Sequence, residues 1–229
     1  MKAPKGQLFR SFFSSQVVND LRTNIITGKL PAGEKIVENA IAEEMNVSRG
    51  PVRNALAILE AEGLVTFLQN GRTVSSGFTL VDAEKLYEMR SFIELKAIEL
   101  IFKDNLTDFQ YIKQINEGLR KEKHNVANFT NLDVSYHFEL MRLSGNKYLL
   151  QCWLSLRPLL ETILMITNTQ IREDDQEGFN KGYVIDHHEK ITTALITGNF
   201  NEAILFLKEH LDTGKAVMIE KMSEILKER

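Results

Sequence analysis

The stretch VSRGPVRNALAILEAEGLV, residues 47–65, constrains the fold more than any other part of the chain. Ile41, Met45 and Val47 lead into Ser48, after which Val52, Leu56 and Leu59 recur at the spacing of one buried helical face. Two short helices therefore share a core across a tight Asn46-Val47-Ser48 turn, which is helix-turn-helix patterning. Ser48 is placed to cap the second helix, and Pro51 falls in its first turn, where a missing N–H costs nothing. On a helical wheel Val52, Ala55, Leu56 and Leu59 take one arc, while Gly50, Asn54, Ala57 and Ala61 lie opposite with Arg53 beside them. Such a lean outer face, with Arg49 and Arg53 near its start, can enter a DNA major groove, where arginine bonds guanine O6 and N7. Two solvated surface arginines satisfy the same pattern.

Glycine and proline divide the rest of the chain. Gly28, Pro31 and Gly33 end a first helix over residues 11–27, and shorter helices follow at 38–45 and 49–62. Leu64–Phe67 and Thr73–Ser75 read as a two-stranded hairpin turned by Asn70-Gly71. After Ser75, Ser76 and Gly77 everything is helical, in segments near 80–102, 107–123, 125–144, 147–172, 181–197 and 200–227. The expected architecture is mainly α: a winged helix-turn-helix over 1–76, a linker at 77–80 and an all-α bundle over 81–229.

Net charge alone, −3 over 229 residues, argues against a nucleic-acid partner, but the charge is uneven. Residues 1–78 carry nine Lys/Arg and seven Asp/Glu, leaving −5 for the remainder, so the first third is the part that tolerates phosphate. The single Cys152 rules out an internal disulfide and suits a reducing compartment. No uninterrupted apolar run approaches a membrane span, and MKAPKGQLFRSFF lacks the features of a signal peptide, so it reads as a frayed basic arm. These features predict a cytoplasmic protein without a membrane partner.

The stretch GKLPAGEKIVENAIAEEMNVSRGPVRNALAILEAEGLVTFLQNGRTV closely resembles the winged helix-turn-helix of the GntR family of bacterial repressors. The resemblance covers about 45 residues, through V-S-R-x-P-V-R-x-A-L and the Gly-containing wing. It implies DNA contacts by Arg49 and Arg53, with Ser48 and Asn54 on the same recognition helix, and entry of Gly71 at the wing tip into the adjacent minor groove. Asn39 stands where many relatives carry a DNA-contacting arginine, and Gly50 replaces the commoner threonine. Arg72 supplies a positive charge at the wing.

In the bundle, Asp133 and His137 are four apart and share a helix face. The segment TGNFN reads as a turn whose centre, residue 199, is the midpoint of His188 and His210, so an antiparallel hairpin brings those two imidazoles to one level. Three histidines and a carboxylate suit a first-row divalent ion such as Zn²⁺, Ni²⁺ or Mn²⁺. Structural or exposed histidines account for the same spacing. His124 and His187 lack partner geometry and read as surface residues.

The stretches YEMRSFIELKAIEL, LDVSYHFELMRLSGNKYLL and DHHEKITTALITGNFNEAILFLKEHL are similar to the FCD ligand-binding domain of the FadR subfamily. The resemblance implies a metal held by Asp133, His137, His188 and His210, beside a small carboxylate effector. Tyr136 stands where phenylalanine is common. Arg90 and Arg157 are candidates to pair with that carboxylate, and each is equally placed for an intrahelical ion pair, Arg90 with Glu94. Met89, Phe138, Met141 and Met165 read as core.

The sequence thus predicts a homodimeric, ligand-responsive transcription factor, a repressor, reading a pseudo-palindromic double-stranded operator. A metal-dependent hydrolase is disfavoured, since no acid/base pair, phosphate loop or nucleophile motif accompanies the candidate ligands. A helical adaptor using the winged helix for protein contacts is the third reading.

Overall fold

The computed structural model describes residues 5–103, 108–174 and 182–227, with side chains placed over 14–103, 108–173 and 182–227. Two compact units emerge, Met1–Thr79 with Ile225–Arg229, and Leu80–Glu224. Lys2 of the expected arm lies outside the described residues; from Lys5 the chain is already helical, so the first helix starts six residues earlier than the pattern suggested.

In the first unit, α1 (Lys5–Ile26), α2 (Glu38–Glu44) and α3 (Arg49–Ala61) surround a small core. Val17, Leu21 and Ile25 of α1 meet Val52, Ala55, Leu56 and Leu59 of α3, all buried. The expected inner arc of α3 is therefore the inner face, and Gly50, Asn54, Ala57 and Ala61 are exposed. Arg22 on α1 clamps Glu62, the C-cap of α3, through Nε to Oε2 at 2.7 Å and Nη2 to Oε1 at 2.6 Å, nearly out of water. The turn between α2 and α3 closes on Asn46, at φ 51°, with the Val47 N–H bonded to Ala42 O at 2.9 Å. That is a left-handed helix stop, which asparagine tolerates better than most residues.

The wing is larger than expected. A two-residue strand, β1 (Lys35–Ile36), joins β2 (Val65–Phe67) and β3 (Thr73–Ser75) in a three-stranded antiparallel sheet of order β1-β3-β2. Ile36 faces Thr73, and Phe67 faces Thr73 from the other side. Two residues are too few to show the alternation by which a strand is recognised, so β1 left no signal. At the tip Gly71 has φ 76°, its N–H bonds Leu68 O at 2.9 Å, and Asn70 Oδ1 accepts from the Arg72 N–H at 3.1 Å. The positive φ is what requires glycine there.

The second unit is all-α: α4 (Leu80–Lys103), α5 (Gln110–Lys121), α6 (Val126–Leu143), α7 (Lys147–Asp174), α8 (Gly182–Ile196) and α9 (Phe200–Lys227). Helix α6 packs against α4, α5 and α7 and buries much of its length, from Phe129 to Leu143. Asn125 caps it by accepting from the Asn128 N–H at 3.0 Å. Helices α8 and α9 turn at Gly198, φ 71°, so the hairpin centred near residue 199 is present.

Helix α7 departs from expectation in composition. Within Lys147–Glu173 it is long and apolar enough to cross a membrane, because Leu, Ile and Met recur among Ser, Thr and Asn and raise the average without an unbroken run. Only 17% of that apolar window is buried. Leu154 and Tyr148 face outward, as does Met89 of α4, which is half exposed rather than core; Met141 is fully buried.

Candidate functional site

Two sets of residues stand out, one in each unit. In the first, α3 presents Ser48, Arg49, Arg53 and Asn54 to solvent, and the wing tip presents Gly71 and Arg72. The Arg53 side chain is 69% exposed and held by Glu38, the first residue of α2, through Nε at 3.0 Å and 3.3 Å from the two carboxylate oxygens. Nothing lies within 4 Å of where a Cβ would stand on Gly50, so the space above the helix start is open. Ser48 occupies the N-cap with extended backbone angles but makes no capping hydrogen bond. Pro51 sits at the third helical position and has no N–H, so it offers none of the bonds of a reciprocal capping box.

In the second unit, Asp133 and His137 from α6, His188 from α8 and His210 from α9 converge. Their four ligand atoms lie within 4.8 Å of one another and all four side chains are buried. His137 Nε2 is 3.1 Å from His210 Nε2, and His188 Nε2 is 3.4 Å from Asp133 Oδ1. Asp133 Oδ1, both ring nitrogens of His188 and His210 Nδ1 are buried without any hydrogen-bond partner. Orphaned polar atoms cost about 1–3 kcal/mol each, and two of them, Asp133 Oδ1 and His188 Nε2, lie 3.4 Å apart in the cluster. Burial, then the charges of neighbouring His137 and Arg90, holds His188 well below the ordinary histidine range; burial, then His188 and His137, does so for His210. Neutral imidazoles with open lone pairs beside a carboxylate are the donor set a divalent cation takes, so these residues fit such an ion.

Glu94 of α4 lies behind the cluster, fully buried. Its Oε2 is 2.6 Å from His137 Nδ1; its Oε1 accepts from Arg90 Nε at 2.9 Å and Trp153 Nε1 at 3.1 Å. Burial alone would raise its pKa, but the charges of His137 and Arg90 and their hydrogen bonds hold it well below the usual carboxylate range. Tyr136 stacks on His188 at 3.8 Å between ring centres, and its hydroxyl donates to His188 O at 3.0 Å.

A cavity of about 30 Å³ adjoins the cluster, bordered by Asp133 and His210 and by Tyr87, Arg90, Thr167, Asn168 and Tyr183. Arg90 thus makes its intrahelical pair and borders the cavity too. Arg157 does not reach this cavity: it pairs with Glu161 at 3.4 Å and lies over the Phe138 ring. His124 is exposed, as expected, but His187 is half-buried, with its ring 5.9 Å from that of His210.

Residues 13–74 match the gntR family of bacterial regulatory proteins, and residues 85–213 match the FCD domain. The chain belongs to the GntR family, with an FCD domain. Among curated relatives, the gluconate operon transcriptional repressor of Bacillus licheniformis is 27% identical over 91% of this chain and 86% of that protein. The Nta operon transcriptional regulator of Aminobacter aminovorans is 31% identical over 69% of this chain and 85% of its own length. The solved structure of Lar from Listeria monocytogenes shares the fold, with a TM-score of 0.70 at 18% identity, covering 90% of this chain and 95% of that one. This GntR protein is accordingly a DNA-binding transcriptional regulator and not an enzyme.

Reading the sequence missed Glu94 as a partner of His137, and missed Trp153 altogether. Glu94 entered only as a partner for Arg90, because the i, i+4 spacing along one helix is visible in a sequence and a contact from α4 to α6 is not. Tyr136 could have been found: a buried tyrosine hydroxyl demands a hydrogen-bond partner.

Proposed function

We propose that this GntR protein is a homodimeric repressor whose recognition helices read a pseudo-palindromic operator and whose FCD domain answers a small organic acid bound beside a divalent cation. The observation that carries the reading is the pairing of an open, arginine-bearing α3 with a buried, unsatisfied Asp/His₃ cluster in one chain. Ser48, Arg49, Arg53 and Asn54 contact the major groove and phosphates, and Gly71 with Arg72 the minor groove. Asp133, His137, His188 and His210 would hold the cation, Zn²⁺, Ni²⁺ or Mn²⁺, which supplies a Lewis-acidic partner for a carboxylate. Arg90, Tyr87, Thr167 and Asn168 surround the cavity with groups suited to a hydroxylated acid, and two relatives carry gluconate operon repressor names. The cavity holds about two waters as it stands, so such an acid enters with movement of the lining side chains. Arg157, outside this cavity, has no place in that reading. A second copy of the chain covers the apolar outer face of α7, and the protein works in the cytoplasm, where its operator lies.

The test is selected-site DNA binding by metal-replete protein at several salt concentrations, beside an Arg49→Ala, Arg53→Ala variant, with the mass of the complex measured. A pseudo-palindromic site bound by two chains, and lost in the variant, is the expected result. Weak binding by both proteins, without sequence preference and with one salt slope, would sink the recognition-helix assignment.

A further inference from the structure

We propose that Glu94 is the positioning residue of the cation site: its carboxylate takes the Nδ1–H of His137 and leaves Nε2 as the ligand atom. The inference rests on the cation reading above and concerns a residue outside the four ligands. Three observations carry it. The Glu94 Oε2 to His137 Nδ1 contact is 2.6 Å between two side chains with no exposure to water, the length of a charge-assisted bond. The carboxylate cannot swing away, because Arg90 Nε and Trp153 Nε1 hold its other oxygen from α4 and α7. Among the three histidines only His137 has its Nδ1 engaged; the Nδ1 atoms of His188 and His210 are buried without a partner.

An ionised carboxylate only accepts, so when His137 carries a single proton that proton sits on Nδ1, facing Glu94. Its lone pair then lies on Nε2, which points at His210 and the centre of the cluster. A carboxylate behind a ligating histidine fixes ring orientation and tautomer and raises ligand basicity, and losing such a partner typically weakens metal binding about 10–100-fold. Arg90 balances the buried charge of Glu94, so the pair is retained without leaving a lone ion in the core.

The experiment has two arms. Nitrogen-15 histidine spectra of the metal-free full chain report the tautomer of His137 directly and need no variant. Zinc affinity by chelator competition, and the visible spectrum of the cobalt-loaded protein, are then compared for wild type, Glu94→Gln, and Arg90→Met with Glu94→Gln, which removes both buried charges together. The proposal expects the Nδ1–H tautomer at His137, zinc affinity about 10–100-fold weaker in the variants that fold, and an altered cobalt spectrum. An Nε2–H tautomer, or zinc bound equally tightly by wild type and variant, would remove Glu94 from this role and leave the cation site standing. Failure of wild type to bind zinc or cobalt would overturn both. Should neither variant fold, the tautomer in the wild-type chain decides.

Discussion

Ser48 holds the N-cap of α3, is exposed and makes no capping hydrogen bond, and Pro51, at the third helical position, has no N–H to offer it. Ser48→Ala should therefore change stability by less than about 0.5 kcal/mol, where an ordinary serine cap is worth about 1 kcal/mol. Operator affinity should fall about tenfold, as expected for one lost hydrogen bond to a charged phosphate. Urea titration and fluorescence anisotropy separate the two effects, and a stability loss near 1 kcal/mol would show that the hydroxyl caps after all. The signal was in the sequence, because a serine three residues before a proline cannot make the usual reciprocal cap. The four converging residues were legible for a different reason: the Asp133–His137 spacing and the turn midpoint between His188 and His210 are properties of helices whose geometry is fixed. Glu94 was not, since its partnership with His137 depends on how α4 packs against α6 and leaves no trace in local spacing.

Among the elements, α1 and α3 form the main contact of the winged unit, and the Arg22–Glu62 pair joins them at its edge. Both side chains are under 10% exposed, so Arg22→Ala leaves a buried carboxylate unpaired and should cost about 3–5 kcal/mol. The exposed Arg53–Glu38 pair offers the contrast: Arg53→Ala should cost less than about 1 kcal/mol of stability while, on the proposed function, weakening operator binding. Denaturation curves of the two variants check this, and equal losses would mean that burial does not set the difference. The long helices of the bundle were readable because their apolar periodicity runs over many turns, and their ends fall within three residues of the pattern. Two-residue β1 was beyond reach: it is a strand only because β3 offers Thr73 and Val74 as partners. Helix α7 shows the opposite failure, where an average over Leu-rich and Thr-rich turns conceals which face is covered.

At the scale of the whole molecule, the buried histidines tie stability to pH. His188 and His210 stay neutral in the folded chain at pH values where the same residues take up a proton when unfolded. Below about pH 6.5 the unfolded state therefore binds more protons, so this contribution is fully present above that pH and is lost as pH falls. The slope is up to about 1.4 kcal/mol per pH unit for each imidazole. Thermal melts of chelator-treated protein between pH 8 and 5 should show Tm falling with pH; a flat profile would mean that the imidazoles charge inside the fold. Asp133 and His210 border the cavity, whereas His137 and His188 are wholly enclosed. The cluster thus meets the cavity through Asp133 and His210. On the proposed function, a cation held by the cluster would lie behind an acid held in the cavity, and that acid would act as a stopper that sets how long the ion stays.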